Sequence, residues 1–243
     1  MTSRRVGSVL ALLALAPRQP VPFDQLVDEL WGDESMSNAK NALQANVTRL
    51  RKLLASVAGR EGRDLVRTVG TGYLLDVVPE SVDAHRFVAL ADQGATLLDS
   101  DAAAAARTLE QALGMWRGAA LLDAGEGFRC RTASVRLEER RLTAYEDWVT
   151  AKLAVGVERV PVPELRLLAG EHPGRERLSE LLMLVLYRDG RQTEALDVFH
   201  QARRRLAEDL GVEPGRSLHA MYQAILHQDD VLGRPHGSLS LVG

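Results

Sequence analysis

The sequence predicts a mainly α protein with one short β-hairpin, and three observations predict it. Apolar residues recur at helical spacing along most of the chain, whereas β-prone runs are confined to residues 65–75. Aromatic residues make up only 5% of the 243 positions, so the core must rest on Leu, Val and Ala. That favours helices over a β-sandwich. Hydrophobic residues at 46% and charged residues at 26% describe a folded chain, long enough to bury a real core. The single cysteine, Cys130, excludes an internal disulfide framework and a cysteine-cluster metal site.

The first helix is expected where Val6, Val9, Leu10 and Leu13 fall at i, i+3, i+4 and i+7, with Pro17 stopping it. Arg4 and Arg5 before this run, and Ala14-Leu15-Ala16 after it, imitate a secretory signal. The amphipathic face favours a retained helix, because a second helix follows at once. Phe23, Leu26, Val27, Leu30 and Trp31 carry that helix, with Pro22 suited to its first position. No apolar run is long enough to span a membrane.

The third helix is expected from Asn38 to about Ala58, with Ser37 as its N-cap. Ala39, Leu43, Val47, Leu50 and Leu54 form one apolar stripe. The opposite side carries Asn38, Asn41, Ala45, Thr48 and Lys52, with Gln44, Arg49 and Arg51 on the flanks. No acid occurs from Asn38 to Gly59, whereas a solvated helix face usually mixes both signs. Amide side chains can read adenine edges; arginine and lysine can read guanine or hold phosphate. Residues 37–73 hold seven basic residues against two acids, on a chain whose net charge is −3. One basic segment on an acidic chain suits a nucleic-acid site on a larger carrier.

Leu65-Val66-Arg67-Thr68-Val69 and Tyr73-Leu74-Leu75 flank Gly70-Thr71-Gly72, the pattern of a hairpin. Three helices followed by a hairpin is a winged helix-turn-helix, whose third helix enters the major groove while the hairpin lies against backbone or minor groove. The candidate DNA-contacting set is therefore Asn38, Asn41, Gln44, Thr48, Arg49, Arg51 and Lys52 of the helix, with Arg67 and Thr71 of the hairpin.

Beyond Pro79 the β signals vanish. Helices are expected at about 83–99, 101–116, 131–156, 163–171, 175–188, 191–210 and 214–228. Gly190, Ala195, Phe199 and Ala202 show tetratricopeptide spacing, and stacked helix pairs of that kind offer a concave surface to a partner. The expected division is a DNA-binding domain over 1–78, a helical-repeat domain over 79–229 and a flexible tail over 230–243.

Leu26-Val27-Asp28-Glu29-Leu30-Trp31-Gly32, Asn41-Ala42-Leu43-Gln44, Val47 through Leu54 and Gly72-Tyr73-Leu74-Leu75 resemble the DNA-binding domain of the Streptomyces antibiotic regulatory protein family, which is similar to the OmpR/PhoB-type winged helix. Val82 through Phe87, Ala112 through Gly118, Arg136 through Leu142, Tyr187 through Gln192 and Ala202 through Pro214 resemble that family's bacterial transcriptional activation domain. The resemblance implies base-edge readout from Asn41, Gln44 and Thr48, and phosphate contacts from Arg49, Arg51 and Lys52. It implies an activator of a secondary-metabolite (antibiotic) gene cluster that binds direct repeats in promoter DNA as a homodimer or DNA-assembled dimer. RNA polymerase and its sigma factor are the implied protein partners. Two departures accompany it. The family domain usually opens with a small β-sheet, which this chain is expected to lack, and Val69 stands where the family commonly has arginine.

No Gly-x4-Gly-Lys-Ser/Thr loop is present. His85, His172, His200, His219, His227 and His236 form no ligand-spaced set with acids. No enzyme, cofactor or metal is expected, and the expected location is the cytoplasm, at the nucleoid. Cys130 lies between Arg129 and Arg131, neighbours that would lower its pKa. Trp31 and Trp116 are expected as core anchors. Arg203-Arg204-Arg205 is expected as a solvated face balanced by Glu208 and Asp209, and a second nucleic-acid contact is the rival reading. The alternative function is a helical-repeat adaptor with impaired DNA binding.

Overall fold

The computed structural model describes residues 4–32, 38–124, 127–156 and 160–233. Among these are ten α-helices and one three-stranded sheet. The chain divides into two compact units. The first comprises residues 1–91 and 111–142; the second comprises 92–110 and 143–243.

In the first unit, α1 (Arg4–Ala14) buries Val6, Val9, Leu12 and Leu13. β1 is the two-residue strand Val21–Pro22. Sequence periodicity did not indicate it, and it moves Pro22 out of the helix that follows: Pro22 precedes α2 (Phe23–Trp31) as its N-cap residue. α3 (Ala39–Ala58) buries Leu43, Val47 and Leu50. The expected cap Ser37 lies outside the described residues. Asn38 is the N-cap residue and makes no side-chain capping bond.

β2 (Val66–Val69) and β3 (Gly72–Leu75) form the expected hairpin. β3 is central and β1 and β2 flank it antiparallel, with Val21 opposite Tyr73 and Val69 opposite Gly72. Gly70 sits at φ 53, as a two-residue turn with glycine first requires. Gly72 admits β1: any Cβ there would collide with the Val21 carbonyl oxygen. One hydrophobic cluster joins α1, α2, α3 and the sheet through Val9, Leu13, Leu26, Leu43, Leu50 and Val66. Ala124 and Cys130 belong to the same cluster.

α4 (Asp83–Leu97), α5 (Ala102–Leu113) and α6 (Phe128–Val155) follow. Glu29 of α2 accepts a hydrogen bond from the Arg129 amide at 2.7 Å, capping the start of α6. The adjacent Arg129 and Arg131 do not lower the Cys130 pKa. The residue is 2% exposed, and burial together with the Glu29 carboxylate pushes its thiol up to about 11. Trp116 is half-buried rather than a fully enclosed anchor, with Phe87 edge-on at 5.1 Å and Arg141 over its ring at 4.7 Å.

The second unit continues through α7 (Val162–Glu171), α8 (Glu176–Arg188), α9 (Gln192–Arg205) and α10 (Arg216–His227). α8 is its spine, buried continuously from Leu178 to Leu186, with α7, α9, α10 and a C-terminal 3-10 turn packed on it. Ala195 is fully buried between helices, and Phe199 stacks on Tyr222 with ring centroids 4.2 Å apart. Trp148 is buried. Arg175 of the α7–α8 loop donates to both oxygens of Glu146 and to Thr143. α9 ends in a π-helical turn, Leu206–Leu210, which sequence periodicity merged with the helix.

Candidate nucleic-acid interface

α3 divides its residues between two jobs by periodicity alone. Leu43, Val47 and Leu50 anchor one side in the core, at 0%, 1% and 0% exposure. Asn46 is buried with them and spends its amide on the Ala42 carbonyl at 3.0 Å. On the other side Asn38, Asn41, Gln44, Thr48, Arg49 and Lys52 are all exposed. The Thr48 hydroxyl donates back to the Gln44 carbonyl at 2.9 Å, leaving its lone pairs outward. Arg49 and Lys52 make no ion pair with any described residue. The result is a face of amides, a hydroxyl and two unneutralised cations on a rigid support.

Arg51 differs from the rest of the predicted set. It is half-buried and turned toward the hairpin. Its Nε donates to the Val66 carbonyl at 2.9 Å and its Nη2 to the Thr68 hydroxyl at 2.9 Å. Its guanidinium lies 5.9 Å from the centre of the Tyr73 ring. Arg67, on β2, donates to Asp76 at 3.0 Å, and Arg18 approaches the same carboxylate at 3.6 Å. Both pairs are solvent-exposed and of small energetic value. Thr71 stands exposed at the hairpin turn, where its carbonyl accepts the Phe23 amide at 2.9 Å. Val69, at the end of β2 beside the turn, is 38% exposed.

A groove runs between α3 and β2, lined by Thr48, Arg51, Arg63, Arg67 and Thr68, with Asp64 and Asp76 also on its wall. Spacing did not single out Arg63 or Thr68. Thr68 is seventeen positions from Arg51, so no local period links them. The structure therefore brings Asn41, Gln44, Thr48, Arg49 and Lys52 onto one open face, and sets Arg51 and Arg67 in intramolecular contacts beside it.

Outside this region, Arg203 pairs with Glu213 at 2.9 Å rather than with Glu208 or Asp209, and Arg205 donates to the Gly170 carbonyl. His200 and His219 pack edge-on against Phe199. His236 lies outside the described residues. Among the described residues no His, Cys, Asp or Glu cluster has a metal-holding arrangement. No helix among them is long and apolar enough to cross a membrane.

Comparison with known proteins agrees with this architecture. Residues 2–75 match the family model "Transcriptional regulatory protein, C terminal", and residues 82–226 match "Bacterial transcriptional activator domain". The chain is 46% identical over 95% of its length to transcriptional regulator RedD of Streptomyces coelicolor, and spans 66% of that protein. It is 35% identical over 96% of its length to regulatory protein DnrI of Streptomyces peucetius, and spans 87% of it. The solved structure of Mycobacterium tuberculosis EmbR, in complex with a low-affinity phosphopeptide, superposes with a TM-score of 0.84 at 32% identity. That match covers 93% of this chain and 60% of the EmbR chain. The chain belongs to the Streptomyces antibiotic regulatory protein family of transcriptional regulators, with an OmpR/PhoB-type winged helix followed by a bacterial transcriptional activator domain.

Proposed function

We propose that the chain is a sequence-specific DNA-binding activator. Helix α3 enters the major groove, where Asn41, Gln44 and Thr48 read base edges, Asn38 adds a polar contact at the helix start, and Arg49 and Lys52 hold phosphates. Arg67 and Thr71 of the wing meet the flanking backbone. The observation that carries this reading is the exposed, acid-free face of α3 with its two unpaired cations. Ordinary surface helices neutralise such charges with neighbouring acids; a phosphate-facing helix leaves them for DNA.

In the same reading, residues 1–78 supply the DNA contacts and 79–229 supply contacts to RNA polymerase and its sigma factor. Two chains occupy direct repeats, as a homodimer or assembled on DNA, and switch on a secondary-metabolite gene cluster. The protein works in the cytoplasm, at the nucleoid. The test is a footprint on promoters of the source organism, followed by transcription with purified polymerase. A protected direct repeat and template-dependent activation are expected. Equal affinity for promoter and random duplexes would overturn the reading. A second reading, a helical-repeat adaptor with impaired DNA binding, draws on Val69 and on the intramolecular engagement of Arg51 and Arg67. It requires that no duplex be bound at moderate salt.

A further inference from the structure

The run Thr48-Arg49-Leu50-Arg51-Lys52 looks like a uniform patch of cations, yet its three basic residues are not equivalent in the fold. Arg49 and Lys52 are exposed and unpaired, while Arg51 is folded back across seventeen positions of sequence to the wing. Two of its N–H donors go to β2, one to the Val66 carbonyl and one to the Thr68 hydroxyl, and its guanidinium carbon lies over the Tyr73 ring of β3 at 5.9 Å from the centroid. One side chain on α3 thus touches both strands of the wing.

The wing needs such support. Its strands are four residues each, and β2 is an outer strand of the sheet. A hairpin of that size is marginal by itself in water. β1 adds a two-residue ladder on the far side of β3 and does nothing for β2. A wing that must be ordered at the moment of binding spends part of its contact energy on that ordering; a wing held beforehand does not.

We propose that Arg51 and Thr68 form a clamp that fixes the wing against the recognition helix, making Arg51 a positioning residue for DNA binding instead of a phosphate ligand. The DNA-binding part of this inference rests on the function proposed above. The clamp itself is a property of the free protein. Arginine is required because its planar fork reaches two acceptors at once, which a lysine ammonium on a single stem does not reproduce.

The test uses the full chain with substitutions T68V, R51K, R51A and, for comparison, K52A. Thr68 is exposed and valine suits a strand, so T68V keeps the fold while deleting the acceptor. In the free protein, amide hydrogen exchange of β2 and the Gly70–Thr71 turn is expected to accelerate in T68V, R51K and R51A and to stay at the wild-type rate in K52A. On a footprinted duplex, T68V and R51K are each expected to bind about three- to tenfold more weakly, the worth of one or two hydrogen bonds. Their salt dependence should match wild type, whereas K52A lowers the salt slope by about one. The penalty of R67A, at the wing, should shrink in the T68V background, because a loosened wing has less contact to lose. Wild-type exchange at the wing in T68V and R51K overturns the clamp. Full binding by R51K, or a salt slope lowered by one in R51A, makes Arg51 a phosphate ligand and overturns it as well. Accelerated exchange in a chain that prefers no duplex leaves the clamp standing and removes the proposed function.

Discussion

Individual residues of α3 differ in what surrounds them, and their substitutions should differ accordingly. Asn41 and Gln44 are exposed amides with no charge, so Asn41→Ala and Gln44→Ala should cost about 1–3 kcal/mol at particular base pairs and relax preference there. Arg49→Ala and Lys52→Ala should weaken specific and random duplexes alike and each lower the salt slope by about one. Affinity titrations against single-base operator variants at several salt concentrations separate the two classes. Equal losses on all sequences for the amide variants would remove their base-reading role. Cys130 tests the core beneath. Its thiol is buried and pushed up to about 11 by that burial and by Glu29, so it stays neutral and should resist iodoacetamide at pH 8 in the native state, then react on denaturation. The exposed α3 set was legible because helix periodicity separates core from surface. The environment of Cys130 was not, because the burial that chiefly raises its pKa, and Glu29 beside it, are supplied by parts of the chain distant in sequence.

At the scale of elements, close approach decides where glycine is needed. Gly94 on α4 faces Leu109 of α5, and a Cβ there would lie 2.5 Å from the Leu109 Cγ. Alanine usually stabilises a helix interior relative to glycine; here Gly94→Ala should instead destabilise by about 1–3 kcal/mol through overpacking. Thermal and urea unfolding check the sign. α8 carries a second test. Glu180 is buried, and that burial raises its carboxyl pKa, with Arg177 opposing. Its folded pKa then exceeds its unfolded one, so the folded state holds the proton longer as pH rises. This group's contribution to stability is largest below the unfolded carboxyl pKa and is lost as pH rises through the folded value. Glu180→Gln removes that dependence. The variant's Tm should gain on wild type between pH 4 and pH 7, and no relative change would show that Arg177 fully compensates. Helices were legible as elements because each repeats its apolar pattern several times. β1 was not, because two residues, one a proline, carry no period.

For the whole molecule, the first compact unit does not end with the wing. Its core takes in Ala124 and Cys130, and Glu29 of α2 caps α6. A fragment ending near Pro79 keeps every candidate DNA contact but loses these neighbours. It should bind DNA more weakly than the full chain and melt about 5 °C or more lower, since a loss near 1 kcal/mol shifts a domain of this size by that much. It should not activate transcription with purified polymerase. Activation by the fragment would move the polymerase contacts onto the winged helix. Sequence-specific binding by a fragment from Ser81 onward would make Arg204, the member of its arginine run with no partner among the described residues, the leading second contact.

The sequence by itself determined the helical architecture, the hairpin, the acid-free face of α3 and the family, because each is written in residues close to one another or in motifs of fixed order. Tertiary structure alone decided what the polar residues do. It turned Arg51 from the open face toward Thr68, gave Arg67 to Asp76, assigned Arg203 to Glu213 and enclosed Cys130 against Glu29. The physical reason is range. Burial and helical period act over a few residues and leave a regular trace, whereas a charged side chain takes whichever partner the folded chain brings within about 3 Å, at any separation in sequence.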